Sequence, residues 1–244
     1  PPRGGCEGIV QMEGQGMMNM AAMLPGSDKA TKSESRFSDK AYGILLDRLV
    51  RLHYQPLQPL NERELTLELE IGLAPIREAL RRLEGEHLVV IYPRRGIFSA
   101  DIGLRDQQSI KEVRLEIEGL AAALAAMRAA PQERQALVRL ADRLAMERDI
   151  SAQIAGDAEV HRQIYRMARN DYLLAMLTQN FNLALRLWYF CNQSAPSPTP
   201  EAVDHRLLAL AILGGDSEAA RAQMREHVAH DSDRVRDLLF KSSV

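Results

Sequence analysis

Asp157 and His161 stand four residues apart in DAEVHRQIY, His205 lies in DHRLLALAILGGD, and His227 lies in MREHVAH. On a helix, residues i and i+4 leave one face, so this carboxylate and the first imidazole can point the same way. If His205 and His227 each lie on a further helix, one carboxylate and three imidazoles can converge on a point. Such a set suits a borderline divalent ion such as Zn²⁺, Ni²⁺ or Mn²⁺. From the residues alone a plainer reading stays open beside it. Asp-x-x-x-His recurs by chance, and each histidine can sit at a helix surface or end.

The elements that would carry these groups read as one helix after another. Residues 104–128 place Ile110, Val113, Ile117, Leu120 and Leu124 at helical spacing. Pro131 starts a second helix to about residue 147, and others fit roughly 150–169, 171–191, 200–213 and 217–240. Asn170, SAPSPTP and GGDS supply the breaks. Alanine and leucine dominate and aromatics are only 5%, which is the composition of an all-α bundle.

Residues 37–102 read differently. The spacing predicts a helix over 39–52 with Ile44, Leu45, Leu49 and Leu52 on one stripe. HYQPLQPL interrupts it. Asn61 then caps a short helix over 62–70, with Glu64 three residues on in the manner of a capping box. After EIGLAP, Pro75 suits the first position of a third helix, whose apolar stripe is Ile76, Ala79, Leu80 and Leu83. Arg77 and Arg81 share another face. HLVVIY reads as a strand, PRRG (Arg94, Arg95, Gly96) as a tight turn and IFSA as the returning strand. Three short helices and a hairpin are the plan of a winged helix-turn-helix, whose third helix enters a major groove while its wing lies on the backbone. Arginine suits both tasks, because its planar fork binds phosphate or guanine edges in two places. Helix arginines are more often simply solvated, and Glu78, Glu84 and Glu86 offset the charge, so charge alone leaves DNA binding open. The order of elements favours it.

Composition sets bounds. A chain of 244 residues makes one large domain or two modest ones. A net charge of −2 excludes a generally basic protein, so nucleic-acid binding must rest on a local patch. Cys6 and Cys191 are far apart and suit a reducing cytoplasm rather than a disulfide framework. No apolar run approaches the ~20 residues of a membrane span. Residues 1–36 are rich in Gly, Met, Ser and Lys, lack a signal-peptide core and show no sustained period, so they are expected to be a disordered leader.

LNERELTLELEIGLAPIREALRRLEGEHLVVIYPRRGIFSA resembles the DNA-binding domain of GntR-family bacterial regulators, over roughly residues 41–100. The resemblance implies DNA contacts from Arg63, Arg77, Arg95 and Gly96, with Arg81 and Arg94 on the same surfaces. Where the family often has Ser-Arg-Thr before the proline, this chain has Gly72, Leu73 and Ala74. An arginine and two hydroxyls are missing, so no operator sequence carries over, although the Gly72 N–H stays free to meet a phosphate. EVRLEIEGLAAALAA, D-x-x-x-H-R with ARN, H-R-x-L-x-A-I-x-x-G-D and A-x-x-x-M-x-x-H together resemble the FCD effector domain of the FadR subfamily, over about 105–240. That resemblance implies metal ligation by Asp157, His161, His205 and His227, with His230 outside the pattern. It also implies that Arg114 faces the cavity and clamps a carboxylate effector; a solvated helix arginine is the other reading of it.

The expectation is a mainly α protein in three parts: a leader (1–36), a winged helix-turn-helix domain (37–102) and an all-α metal-, effector- and dimer-forming domain (103–244). It would be a cytoplasmic homodimeric regulator, usually a repressor in this family, on double-stranded DNA with an inverted-repeat operator and no membrane role. Its operator affinity would respond to a small organic acid at the metal. Two alternatives are a regulator with a purely structural metal and a metal-dependent hydrolase. No separate general base stands out for the hydrolase.

Overall fold

The computed structural model describes residues 27–194 and 205–242. Cys6, most of the leader and the break after Ser194 lie outside the described residues. In the first unit, α1 spans Ser27–Val50, β1 Pro59–Leu60, α2 Glu62–Leu69, α3 Leu73–Gly85, β2 Val89–Tyr92 and β3 Gly96–Ser99. The second unit holds α4 (Leu104–Arg128), α5 (Pro131–Met146), α6 (Ile150–Met167), α7 (Asp171–Ser194), α8 (His205–Gly214) and α9 (Ser217–Ser242).

Local chemistry explains most boundaries. The Asn61 side chain accepts from Arg63 N at 2.9 Å, which satisfies an orphan donor of α2. Glu64 accepts from the Asn61 side chain at 3.0 Å rather than from its backbone, so the capping box closes side chain to side chain. Pro131 opens α5 as expected.

Four expectations change. Helix α1 begins at Ser27, ahead of the start at residue 39 that the spacing predicts; the Lys, Ala and Glu among residues 27–36 are good helix formers even without an apolar period. Helix α3 begins at Leu73 behind an uncapped Gly72, so Pro75 is its third residue, where the first-turn N–H it lacks would have had no partner. The hairpin gains a third strand, giving the antiparallel order β1-β3-β2 with Pro59 opposite Phe98 and Leu60 opposite Ile97. A proline is tolerated there because β1 is an edge strand. On α4, Val113 and Leu120 are exposed, while Arg114, Glu118, Ala121, Ala122 and Ala125 are buried. The polar face, not the whole apolar stripe, turns inward.

Leu45, Leu49, Leu65, Ile76, Leu80, Leu83 and Leu88 fill the winged unit. The same cluster continues through Leu173, Leu177, Phe181 and Leu185 of α7, so the two units share one apolar core. A second cluster joins Ala122 and Ala125 of α4 to Leu137, Ile164, Leu208, Ile212, Met224 and Val228. Helices α4 and α9 approach closely at Gly119, where a Cβ would lie 3.0 Å from Arg225 Cγ. Among the described residues no helix is long and apolar enough to cross a membrane. Leu80 is fully buried beneath the exposed face of α3. Leu80→Ala is expected to lower the unfolding free energy by about 2–5 kcal/mol, measured by denaturant titration.

Candidate metal centre and DNA interface

Helix α6 projects Asp157 and His161 from one face, α8 contributes its first residue, His205, and α9 contributes His227. One ligand atom from each of the four lies within 4.8 Å of every other. Asp157 Oδ1 is 2.9 Å from His205 Nε2 and 3.8 Å from both His161 Nε2 and His227 Nε2. The three imidazoles are buried and the Asp157 side chain retains partial exposure. His205 Nε2, though close to Asp157, makes no aligned hydrogen bond, and His205 Nδ1 and His227 Nδ1 have no hydrogen-bond partner either.

These orphaned atoms fit a cation. His161 Nε2 and His227 Nε2 face each other at 2.9 Å, and two lone pairs cannot meet at that distance without a proton or a metal between them. Burial pushes the His227 imidazole well down, and the neighbouring His205 and His161 push it further, so it stays neutral. Burial opposes the charged form of His161 too, but Glu118 and Asp157 outweigh it and raise that group. Burial also disfavours the Asp157 anion, yet the three histidines hold its carboxyl below the usual range. The centre attracts positive charge, and its donor set is that of a borderline divalent ion.

Glu118, which the sequence reading passed over, orients the first imidazole. Its Oε2 lies 2.7 Å from His161 Nδ1, and its Oε1 accepts from Arg114 Nε at 2.5 Å. Burial alone would raise this carboxyl; Arg114 and then His161 hold it down at about 2. An anionic acceptor on Nδ1 fixes the tautomer that presents a bare Nε2 to a metal. Arg114 is buried and its Nη2 has no partner, so the solvated-arginine reading is excluded. Phe181 of α7 stacks on the His161 ring at 4.8 Å between centroids. Asp231, one turn beyond His227, is a buried carboxylate that accepts from Trp188 Nε1 at 2.8 Å. Burial, then Asp157, pushes it up to about 6, still mainly ionised at neutral pH. His230 is exposed and outside the cluster. The signals for Glu118 and Asp231 were present as acids one turn from Arg114 and His227, but surface acids at that spacing are ordinary.

The arginines expected at DNA are all exposed: Arg63 at the start of α2, Arg77 and Arg81 on the outer face of α3, Arg94 and Arg95 at the wing tip. Gly72 is exposed ahead of α3. The wing turn closes through Arg95 N to Tyr92 O at 3.1 Å, and Gly96 takes φ 105°, which a side chain would strain. Arg77 is held by Glu62 through bonds of 2.9 and 3.2 Å.

Residues 37–98 match the family model "Bacterial regulatory proteins, gntR family", and residues 109–230 match that of the FCD domain. The chain belongs to the GntR family and carries an FCD domain. It is a transcriptional regulator, and regulators of this family bind DNA. The HTH-type transcriptional repressor GlaR of Escherichia coli (strain K12) is 26% identical over 198 residues, covering 77% of this chain and 90% of that protein. The Nta operon transcriptional regulator of Aminobacter aminovorans is 31% identical over 51% of this chain and 60% of its own length. Among solved structures, E. coli McbR/YncC superposes with a TM-score of 0.69 at 21% identity, over 85% of this chain and 99% of that one, and shares the fold. A GntR regulator from Rhodococcus sp. RHA1 superposes at 0.66, with 18% identity over 82% and 97%.

In this GntR regulator, helix α7 joins the two units directly. Near its middle Gln179 Nε2 donates to Gly85 O at the end of α3 (3.3 Å). Further on, Arg186 Nη2 donates to Ser99 Oγ at 2.8 Å and Ala100 O at 2.6 Å, where β3 leaves the wing. Arg186 is buried, and that burial pushes its guanidinium down to about 10, so it remains charged. These bonds add to the covalent connection between β3, which ends at Ser99, and α4, which begins at Leu104.

Proposed function

We propose that this chain is a homodimeric repressor whose operator affinity is set by a small carboxylate effector at a divalent ion held by Asp157, His161, His205 and His227. The observation that carries the reading is the buried Asp–His₃ cluster, braced by Glu118 and stacked on α7, the helix that also grips both recognition helix and wing. Zn²⁺, Ni²⁺ or Mn²⁺ suits these ligands, and when bound it supplies a Lewis-acid anchor for a carboxylate. The unpartnered Arg114 Nη2 supplies a charged hydrogen bond to the same ligand. Ligand-driven movement of His161 shifts Phe181, and α7 carries the shift to Gly85 and Ala100. The coupling expected of such a device is about 1–3 kcal/mol.

On DNA, Arg63, Gly72, Arg77 and Arg81 meet the major-groove side, and Arg94, Arg95 and Gly96 follow the backbone. Two copies place their α3 helices about one turn apart, ~34 Å, on an inverted repeat. A stripe on α4 supports pairing of two chains: Val113, Leu120 and Met127 are 40%, 37% and 66% exposed at seven-residue spacing. Leu120→Glu is expected to shift the protein from dimer to monomer in analytical ultracentrifugation.

The test is operator release. Metal-loaded protein on its operator should be released by small organic acids, and protein stripped by chelator should not respond. Arg186→Ala is expected to retain metal and acid binding while shifting the release curve by roughly five- to a hundredfold in acid concentration. An identical release curve for that variant removes α7 from the mechanism; release independent of metal removes the ion from it.

A further inference from the structure

The approach to α3 and its first turn carry no polar side chain. Residues 71–76 read IGLAPI, so none of them offers a side-chain donor or acceptor. Ile71 and Ile76 are buried in the winged unit, whereas Leu73 and Ala74 are exposed. Leu73 is 38% exposed and belongs to none of the apolar clusters among the described residues. Four residues on from each, Arg77 and Glu78 leave the same face of the helix, and Arg81 continues it. These five side chains line one open surface. An exposed leucine is ordinary in itself. This one stands with Ala74 as a small apolar spot at the start of a face that carries two arginines.

We infer that Leu73, with Ala74 beside it, reads a thymine methyl group, so that each half of the operator carries an A·T pair beneath the first turn of α3. The inference rests on the reading above that α3 enters the major groove, and it adds which base edge the start of the helix meets. In helix-turn-helix proteins the N-terminal residues of the recognition helix are those that reach base edges. On the major-groove side guanine, adenine and cytosine present donors and acceptors, while thymine presents one acceptor and its C5-methyl group. An apolar side chain laid on a donor or acceptor strips away water and gives no hydrogen bond in return, which costs free energy. Laid on the methyl group, it removes apolar surface from water on both sides. A phosphate gains nothing from Leu73 or Ala74, which have no donor to offer it. A stable protein partner takes about 800 Å² of surface on each side, and this spot is bounded at once by Arg77, Glu78 and Arg81.

The experiment selects an operator from random duplexes with the full chain and then replaces each of its thymines in turn by deoxyuridine. That exchange removes the methyl group and keeps the hydrogen-bonding edge. Affinity is measured by gel shift, and melting temperature is recorded for every variant. In each half-site at least one replacement is expected to weaken binding by about fourfold, the effect of one buried methyl-sized group. Leu73→Ala, with an unchanged melting temperature, is expected to bind the thymine and deoxyuridine duplexes within about twofold of each other at that position. It should also keep the salt dependence of the unaltered chain, because no phosphate contact is lost. Arg77→Ala on the same duplexes reports separately on the docking of α3. Tight binding without any deoxyuridine-sensitive thymine overturns the methyl contact, and weakened binding by Arg77→Ala would then still leave α3 in the groove. If Arg77→Ala binds as tightly as the unaltered chain and no thymine is sensitive, both readings fall. A deoxyuridine effect undiminished in folded Leu73→Ala protein removes Leu73 from the contact.

Discussion

Replacing His161 and His205 together by alanine is expected to abolish stoichiometric divalent-ion binding, from about one ion per chain to near none by elemental analysis. Two of the four converging donors are lost, and they come from separate helices, α6 and α8. The unaltered chain should melt at higher temperature when metal is added, because an ion that binds only the folded state stabilises it by about 2.7 kcal/mol at a hundredfold excess over its Kd. The double variant should show no such shift, and a metal-dependent shift of unaltered size would sink the ligand assignment. Glu118→Gln provides a graded companion. It keeps a hydrogen-bonding oxygen near His161 Nδ1 but removes the anion that braces the ring and pairs with Arg114. Metal affinity is expected to fall by about 10- to 100-fold, the usual effect of losing such a supporting partner. Loading the site should also release protons at neutral pH, because an ion displaces any proton shared between His161 and His227.

The second large effect is expected from Arg77→Ala combined with Arg95→Ala. These side chains stand on different elements, the outer face of α3 and the tip of the wing, so their losses should combine nearly additively. Each is expected to weaken operator binding roughly tenfold to a hundredfold. The slope of log affinity against log salt should become shallower by about 0.9 for each phosphate contact removed. Unchanged gel-shift affinity and slope would mean that another surface binds DNA. Glu62 modulates the same contact, because it holds Arg77 in the free protein through two hydrogen bonds. Both groups sit at the surface, so water and salt screen the pair and a phosphate can displace the carboxylate. Glu62→Gln is therefore expected to bind DNA modestly more tightly than the unaltered chain.

Much of the molecule was legible in the sequence because it depends on neighbours along the chain. The i, i+4 spacing of Asp157 and His161 put both on one face of α6 whatever surrounds that helix. Asn61 could cap α2, Pro131 could open α5 and Gly96 could complete the wing turn because these are properties of single residues and their immediate backbone. The exposure of Arg77 and Arg81 followed from the apolar stripe on the opposite face of α3, and that of Arg94 and Arg95 from their place in the hairpin turn.

What required tertiary structure was anything decided by which face meets which partner. The period of α4 marks Val113 and Leu120 as readily as Ile117, and apolar spacing cannot say that the buried face would be the one bearing Arg114 and Glu118. That choice costs desolvation of two charges, and it is made only because they pair with each other and Glu118 reaches His161 on a helix far along the chain. Strand β1 was hidden by its proline, since its pairing with β3 comes from the fold rather than from local propensity. Arg186 on the wing, Phe181 on His161 and Asp231 beside Arg114 are likewise meetings of distant segments. The sequence determined the parts of a DNA reader and a set of metal-type ligands. Packing decided that one helix, α7, would touch both, because the two units share a single apolar core along it.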